Sequence, residues 1–487
     1  MRSRPRRRDA VGRLGGARRF AVAAVLATAL AAAGGCGVST SAPQKHGDAL
    51  PAVQPYGESV RSIPDPAGVS DPEELVRLYL QAAVGGTEAV VPQVKAFLTG
   101  KALQTWRDPA NPQNVTVIRV LRGPEEGVRG GGRSPVTVDY EVIGTLSNGR
   151  VAEPSPSGGG SITFWVVPDP NTPGDLRIDE IEGWHGGLLL SDKALDESQG
   201  GVHRIQPIYF WDAEYELLIP DLRYLPLTLN EEQRAKRLVQ WLVAGPSPWL
   251  EPAPQRLPAG TNLNVAIRTD PVRFEVNVES EQPFDQTAVA RLHHQLRWTL
   301  SYGGIDPPPL ELFVNGQPQQ SGVEDYRAFN RAYRYRNEAG PPARYDVVDS
   351  RVTAVGLDPQ PPLLTSPDNV DVETAAVNRD GTVAALVRRA SNGLRYLNVI
   401  HAGGQSVRSG LRQDVSRPSW VPVPGSREEF VMVASGGNMY LLSTTDPKFT
   451  DVTPARLTNV TSVSVAPDGR RVAFVADGLA YVASLSV

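Results

Sequence analysis

The chemistry of this chain begins with a cysteine. Cys36 is the only one among 487 residues, so no disulfide can form within the chain. It closes the run Ala33-Gly34-Gly35-Cys36. A signal peptidase pocket accepts small side chains, and a thiol directly after them can take a diacylglyceryl thioether. The run reads as a lipobox, with Ala33 where lipoboxes usually carry Leu. Cleavage is expected between Gly35 and Cys36, which leaves Cys36 as the lipidated residue. What precedes it agrees. Residues 1–35 hold eight arginines against one acid, Asp9, and Phe20 to Ala33 is an uncharged stretch of fourteen residues. A bilayer-spanning helix needs about 20 apolar residues, so this one fits a signal-peptide core. Arg18-Arg19-Phe20 hints at twin-arginine export, but its flanks are poor and the general secretory route is preferred.

The remaining residue types that could act as ligands or catalysts are scattered. Six histidines stand at 46, 185, 203, 293, 294 and 401. His293-His294 is the one cluster, but adjacent residues on a helix point about 100° apart and do not easily share a metal. By spacing, His293 lies with Val289, Leu292 and Leu296, as a boundary histidine would. Asp179-Glu180 falls between strand residues, and Glu231-Glu232 falls in a helix's first turn, where negative charge is favourable. No Gly-x-Ser-x-Gly elbow, His-Glu-x-x-His or phosphate loop occurs. We expect no catalytic residue, metal or cofactor. Trp241, Trp249 and Trp298 could form a binding face, although burial is the commoner fate of tryptophan.

Composition limits what must position these residues. Hydrophobic residues make up 40% and charged residues 21%, ordinary for a globular chain. At roughly 100–200 residues per domain, the length suggests about three domains. Pro (43) and Gly (46) far outnumber Met (3) and Phe (11), which favours short strands and turns. Without residues 1–35, the chain carries 41 basic and 52 acidic residues, a net −11. Such a surface repels phosphate backbones, so a nucleic-acid partner is not expected.

Four stretches follow the leader. Residues 36–69, rich in Ser, Pro, Gly and Ala, read as a flexible tether. Residues 70–200 open with Ser70-Asp71-Pro72-Glu73, spaced as a capping box, before a helix with Leu75, Val76, Tyr79, Leu80 and Ala83 on one face; Gly85-Gly86 ends it. A second helical stretch is expected over about Glu88 to Trp106. Strands are expected over Val115–Leu121, Val136–Leu146, Ile162–Val167 and Leu176–Trp184. Helices before a curved antiparallel sheet suggest an α+β, cystatin-like cone.

In residues 201–322, Ile205–Phe210 and Tyr215–Ile219 read as strands around a turn at Trp211-Asp212-Ala213. Thr228-Leu229-Asn230-Glu231 reads as a capping box opening a helix with Ala235, Leu238, Val239, Leu242 and Val243 on one face, stopped by Gly245-Pro246. That face is expected to seat on the strand Val272–Val278. Leu263–Ile267 is a further strand, a helix is expected near Gln286–Tyr302, and Leu310–Val314 is the last strand.

In residues 340–487 a repeat appears. Val377-Asn378-Arg379-Asp380-Gly381, Trp420-Val421-Pro422-Val423-Pro424-Gly425 and Val465-Ala466-Pro467-Asp468-Gly469 start 43 and 45 residues apart. Each precedes an apolar strand (Val383–Val387, Phe430–Ala434, Arg471–Ala476), a glycine turn and another strand. Four strands in about 40–45 residues is the blade of a β-propeller. Propellers close with about four to eight blades, and about three fit here, so an incomplete propeller is expected, either truncated or open. The fold class is thus α+β followed by all-β.

Ile208-Tyr209-Phe210, Trp241-Leu242-Val243-Ala244-Gly245-Pro246, Leu257-Pro258-Ala259-Gly260-Thr261 and Val276-Asn277-Val278 resemble the sporulation and spore-germination domain called GerMN. Lipobox, cone-like domain, GerMN-like domain and propeller, in that order, resemble the LpqB lipoprotein family of actinobacteria. The resemblance implies a membrane-anchored accessory on the extracytoplasmic face. It would act without catalysis on the extracellular part of a sensor histidine kinase of the MtrA–MtrB two-component type and affect cell-wall and division behaviour. In that reading the GerMN-like domain and its neighbour bind the kinase and the shortened propeller contributes little. An extracytoplasmic cell-wall hydrolase and a solute-capture lipoprotein are the alternatives; the second would need alternating βαβ units, which this chain lacks.

Overall fold

The computed structural model describes residues 61–485 apart from 85–89, 113, 128–131, 153–157, 185–186, 213, 251–254, 259, 270–271, 281–283, 302–308, 321–325, 327–329, 331–342, 411, 424–428, 447 and 455–456. The chain divides into two compact units, Met1–Glu58 and Ser59–Val487, and every described residue lies in the second. Helices and strands are mixed, with strands in the majority.

The first helix, α1 (Pro72–Ala82), buries Leu75, Val76, Tyr79 and Leu80 as their spacing requires. Its cap is Asp71 rather than Ser70. The Asp71 side chain accepts from the Glu73 and Glu74 backbone N–H groups, because a carboxylate next to Pro at the first helical position reaches both free donors. The expected second helix is two short ones, α2 (Val90–Lys95) and α3 (Gly100–Thr105). They are separated where a sheet edge captures the backbone: Thr99 N donates to Ile178 O and Ile178 N to Phe97 O, both at 2.9 Å.

The sheet behind these helices has the order β5-β4-β2-β1-β6. Its strands are β1 (Val115–Glu126), β2 (Ser134–Ser147), β4 (Gly159–Pro168), β5 (Leu176–Glu182) and β6 (Leu188–Ser191), with β3 (Arg150–Ala152) on β2. All but one pairing are antiparallel. β6 lies parallel to β1 with all four residues buried, so Leu188-Leu189-Leu190 shows no alternation that would have announced a strand. Register shifts along β1 and between Trp165 and Val166 mark bulges, which strengthen local twist. Part of the stretch expected as tether is held to the folded chain: Leu176 N donates to Val69 O at 3.1 Å beside this sheet, and Arg61 N donates to Leu227 O at 3.1 Å in the unit that follows.

The next unit opens with a hairpin, β7 (His203–Trp211) and β8 (Leu218–Pro226). The second strand therefore starts three residues later than Tyr215 and runs on to Pro226. The Asp212 carboxylate ties residues 212–217 into a wider turn, accepting from Glu216 N at 2.8 Å and Leu217 N at 3.0 Å.

Helix α4 (Glu231–Ala244) is opened by Asn230 and Gln233, which form the capping box two residues later than Thr228. Ala235, Leu238, Val239 and Leu242 are buried, whereas Val243 is exposed. The buried face seats mainly on β9 (Asn262–Thr269) rather than on β10 (Val272–Glu279), because β9 is the edge of the sheet β12-β11-β10-β9 on which α4 lies. Helix α5 (Gln286–Leu300) carries the chain from β10 over to β11 (Leu310–Val314), parallel to β10. β12 (Gln317–Gln319) completes this sheet.

The last part is a stack of sheets. A hairpin, β13 (Tyr345–Val348) and β14 (Arg351–Ala354), precedes two four-stranded sheets and one of three strands. The first four-stranded sheet contains β15 (Val372–Val377), β16 (Val383–Arg389), β17 (Arg395–His401) and β18 (Ser406–Arg408). The second contains β19 (Ser419–Val421), β20 (Phe430–Ser435), β21 (Asn438–Ser443) and β22 (Thr450–Asp451). The third contains β23 (Val460–Val465), β24 (Arg471–Ala476) and β25 (Leu479–Ser484).

Strand periodicity explains the stacking, since successive side chains point to opposite faces. Val383, Ala385 and Val387 of β16 meet Val431, Val433 and Leu442 of the following sheet, while Ala384 and Leu386 meet Val352, Leu363 and Leu364 on the other side. Met432, Ala434 and Met439 pack against Val472, Phe474 and Ala476. A strand apolar on both faces is what a blade between two blades requires. The turn between β24 and β25 uses Asp477 and Gly478 at φ 50° and 78°, the left-handed pair a two-residue hairpin turn needs.

Candidate functional site

The residues that the sequence marks for lipidation and cleavage, Cys36 and Gly35, lie outside the described residues, as do His46 and His185.

Three of the other histidines, His203, His293 and His294, are buried. His293 and His294 are both buried, His293 more deeply than a boundary position implies, because α5 is covered along that face. Burial is the main cause that pushes each down to about 4, with repulsion from Arg297 adding to it. His203 is wholly buried, with Nδ1 3.1 Å from Ala194 O, and burial pushes it down to about 4. Neutral rings at such depth serve packing. Among the described residues no group of three His, Cys, Asp or Glu is placed to hold a metal ion.

The paired acids are also accounted for. Arg133 reaches Asp179 at 3.0 Å and Glu180 at 3.1 Å, and Lys101 bonds Glu180; the Lys101 contact, then Arg133, holds Glu180 below the usual carboxylate range. Glu231 and Glu232 sit in the first turn of α4, and Glu232 pairs with Lys236 at 2.6 Å. The three tryptophans do not form one face. Trp241 is buried, Trp249 is exposed, and Trp298 is half-buried against Tyr209 and Tyr326.

Two arrangements emerge that spacing did not announce. The first is a buried ion pair in β8. Asp221 and Arg223 are two residues apart on the inward face, both with side chains 0% exposed, and their charged groups are 2.7 Å apart. Ser247 donates to Asp221 from its backbone N at 2.9 Å and its hydroxyl at 2.7 Å. Arg223 donates to Gly245 O at 2.8 Å and, across to the turn after β2, to Asn148 O at 3.3 Å. Tyr224 N donates to Gly149 O at 2.7 Å. Gly149 sits at φ 72°, and a Cβ there would come within 2.6 Å of the Trp241 ring. The β2–β3 turn is thereby sewn to the hairpin and to α4.

The second is a cavity of about 100 Å³ beside the β7–β8 turn, whose lining includes Trp211, Tyr215, Leu257, Phe284, Ala288 and Arg291. The Trp211 indole N–H donates to Arg291 O at 3.1 Å. The Arg291 guanidinium lies 3.8 Å from the centre of the Tyr215 ring. Tyr215 adopts φ 58°, unfavourable for a side chain of its size unless the surroundings impose it. Asp212, 1% exposed, imposes it by capping the turn; its other oxygen accepts from Arg470 at 3.1 Å. A half-buried guanidinium held against an aromatic ring at the wall of a small apolar cavity can receive a carboxylate.

The described residues thus form mixed helix-and-sheet parts followed by stacked blade-like sheets. Residues 207–320 match the family model for sporulation and spore germination, and residues 350–486 match that of the lipoprotein LpqB beta-propeller domain. Curated relatives extend the similarity to nearly the whole chain. Lipoprotein LpqB of Mycobacterium tuberculosis (strain CDC 1551 / Oshkosh) is 26% identical over 92% of this chain and 76% of its own length. LpqB of Mycolicibacterium smegmatis is 24% identical over the same shares, and LpqB of Nocardia farcinica 25% over 91% and 75%. Along nearly its whole length the chain is thus similar to proteins named as LpqB lipoproteins. Among the described residues no helix is long and apolar enough to cross a membrane.

Proposed function

We propose that the chain is a non-enzymatic, lipid-anchored accessory on the extracytoplasmic face of the cell membrane, acting on the extracellular domain of a sensor histidine kinase of the MtrA–MtrB type and thereby on cell-wall and division control. The observation that carries this reading is the similarity to LpqB lipoproteins over 92% of the chain, with the sporulation and spore-germination model matched before the LpqB propeller model.

In this reading residues 1–35 are the signal peptide, Cys36 carries the lipid, and 36–69 begin as a tether. Residues 70–200 form a cystatin-like cone, 201–322 the GerMN-like domain and 340–487 a propeller of about three blades. The buried Asp221–Arg223 pair, bonded to Asn148, supports treating the first two domains as one rigid platform. A lipid anchor confines that platform to the kinase's membrane, which raises effective concentration without new contacts.

The test has two arms. Cys36→Ser is expected to abolish lipid labelling and leave uncleaved or released protein, and globomycin-type inhibition of the native sequence is expected to accumulate the uncleaved, lipid-labelled precursor; absence of lipid labelling on the native sequence, with processing unchanged by both treatments, refutes the anchor. Crosslinking in cells followed by mass spectrometry is expected to join residues 70–322 to the kinase's extracellular domain. Crosslinks confined to residues 340–487 would overturn the assignment of the binding domain, and none to the kinase would overturn the accessory role.

A further inference from the structure

We propose that the cavity beside Trp211 is a recognition pocket for an acidic side chain on an extended protein segment, with Arg291 taking the carboxylate; this rests on the reading of the chain as a protein-binding accessory. Arg291 carries the argument. Its guanidinium is half-buried, and among the described residues it has no carboxylate partner and no hydrogen-bond acceptor; its contact is the Tyr215 ring at 3.8 Å. Stacking on an aromatic ring fixes the plane of a guanidinium while leaving its N–H edge available, and that edge matches a carboxylate in a two-point bond.

The cation is placed there by construction. Tyr215 is held at φ 58° by the turn that Asp212 caps, the residue remains 38% exposed, and Arg291 is fixed one turn before the buried Gln295, whose amide donates to Tyr209 O at 2.8 Å. Strained backbone that the surroundings enforce is a mark of functional sites.

The remaining wall sets the ligand's class. Trp211, Leu257, Phe284 and Leu292 offer apolar lining beside the polar Gln255, Gln295 and Arg256, and the volume of about 100 Å³ suits one side chain with a short aliphatic stem. A sugar would need an open aromatic face to stack on. Tyr215 already has Arg291 over its ring, and Trp211 is 4% exposed. A glutamate or aspartate flanked by apolar residues satisfies both the lining and the cation.

The experiment uses the full mature chain and a fluorescein-labelled octapeptide of alternating Leu and Glu, compared with the same peptide carrying Gln for Glu, read by fluorescence anisotropy. The wild-type chain is expected to bind the Glu peptide at least tenfold more tightly than the Gln peptide. Arg291→Gln should lose at least tenfold for the Glu peptide and little for the Gln peptide. Arg291→Lys should fall between, since it keeps the charge and loses the fork. Ala288→Trp, which fills the cavity from α5 and leaves the Arg291 charge in the chain, should abolish binding and provides a second route if Arg291→Gln unfolds. Equal binding of both peptides, or full binding by a folded Arg291→Gln chain, overturns the proposal. So does Arg291-dependent binding of a muramic-acid glycan fragment when the Glu peptide does not bind. Kinase-ectodomain binding, measured in parallel on the wild-type chain, separates the two conclusions: peptide binding without ectodomain binding refutes the kinase role and leaves the pocket standing.

Discussion

Replacing Arg223 by Met isolates the buried ion pair at the junction of the first two domains. The substitution keeps much of the side-chain volume and removes the cation. Asp221 would keep its bonds from the Ser247 N–H and hydroxyl, but its charge would remain fully buried without a counter-ion, while Gly245 O and Asn148 O each lose a donor. Breaking a buried pair from one side costs about 3–5 kcal/mol, and each lost bond to a buried carbonyl contributes within that figure. At roughly 2–4 °C per kcal/mol for a unit of 150–250 residues, the transition containing these domains should fall by roughly 10 °C. Urea unfolding followed by tryptophan fluorescence is a direct assay, because the Trp241 ring lies 5.8 Å from the guanidinium. The double variant Asp221→Asn/Arg223→Met removes both charges and should recover a large part of the loss. A single variant within about 1 kcal/mol of wild type, or a double variant worse than the sum of the singles, would refute the reasoning.

Acid should destabilise the chain through His203, His293 and His294. Each is pushed from 6.5 down to about 4 by burial, so the unfolded chain takes up protons first. Stability is then complete above about pH 6.5 and falls as pH drops towards 4, by roughly 2 kcal/mol per histidine at pH 5. His203→Gln should flatten that slope in urea titrations at pH 7.5 and 5, and an unchanged slope would exclude His203 as a contributor. Leu238→Asp puts a carboxylate into the face of α4 that lies on β9 and should cost several kcal/mol; an unchanged thermal midpoint would mean that the face is open. Gly149→Val faces both φ 72° and the Trp241 ring and should loosen the junction, seen as faster proteolysis between residues 146 and 152.

Local patterns carried a large part of this molecule. The 3.6-residue period of Leu75, Val76, Tyr79 and Leu80 identified α1 and its buried face, because a helix must hide an apolar stripe. Val383, Phe430 and Arg471 each open a strand where the repeat placed one, since alternation and left-handed glycine turns are local properties. Caps were less legible. Ser70 and Thr228 have the right spacing, yet Asp71 and Asn230 do the capping, because several oxygens compete within two residues and only the final backbone geometry selects one. Where a β-sheet edge intercepts the chain, as Ile178 does at Thr99, helix propensity lost to long-range hydrogen bonds, and no local window contains that partner. β6 escaped for the same reason, being a strand defined by its parallel neighbour β1.

The candidate sites divide along the same line. Cys36 is a candidate that the sequence alone can name, because a lipidation signal is a short contiguous run. Arg291 and Tyr215 are 76 residues apart by number and meet only because α5 crosses behind the β7–β8 turn. Asp221 and Arg223 adjoin in sequence, but only the tertiary structure, by bringing Ser247, Gly245 and Asn148 around them, made two ordinary charges into a buried pair. Sequence by itself determined the period of the elements and the chemistry of single side chains; which of those side chains meet, and which lose their water, was decided by packing between segments too distant for any spacing to record.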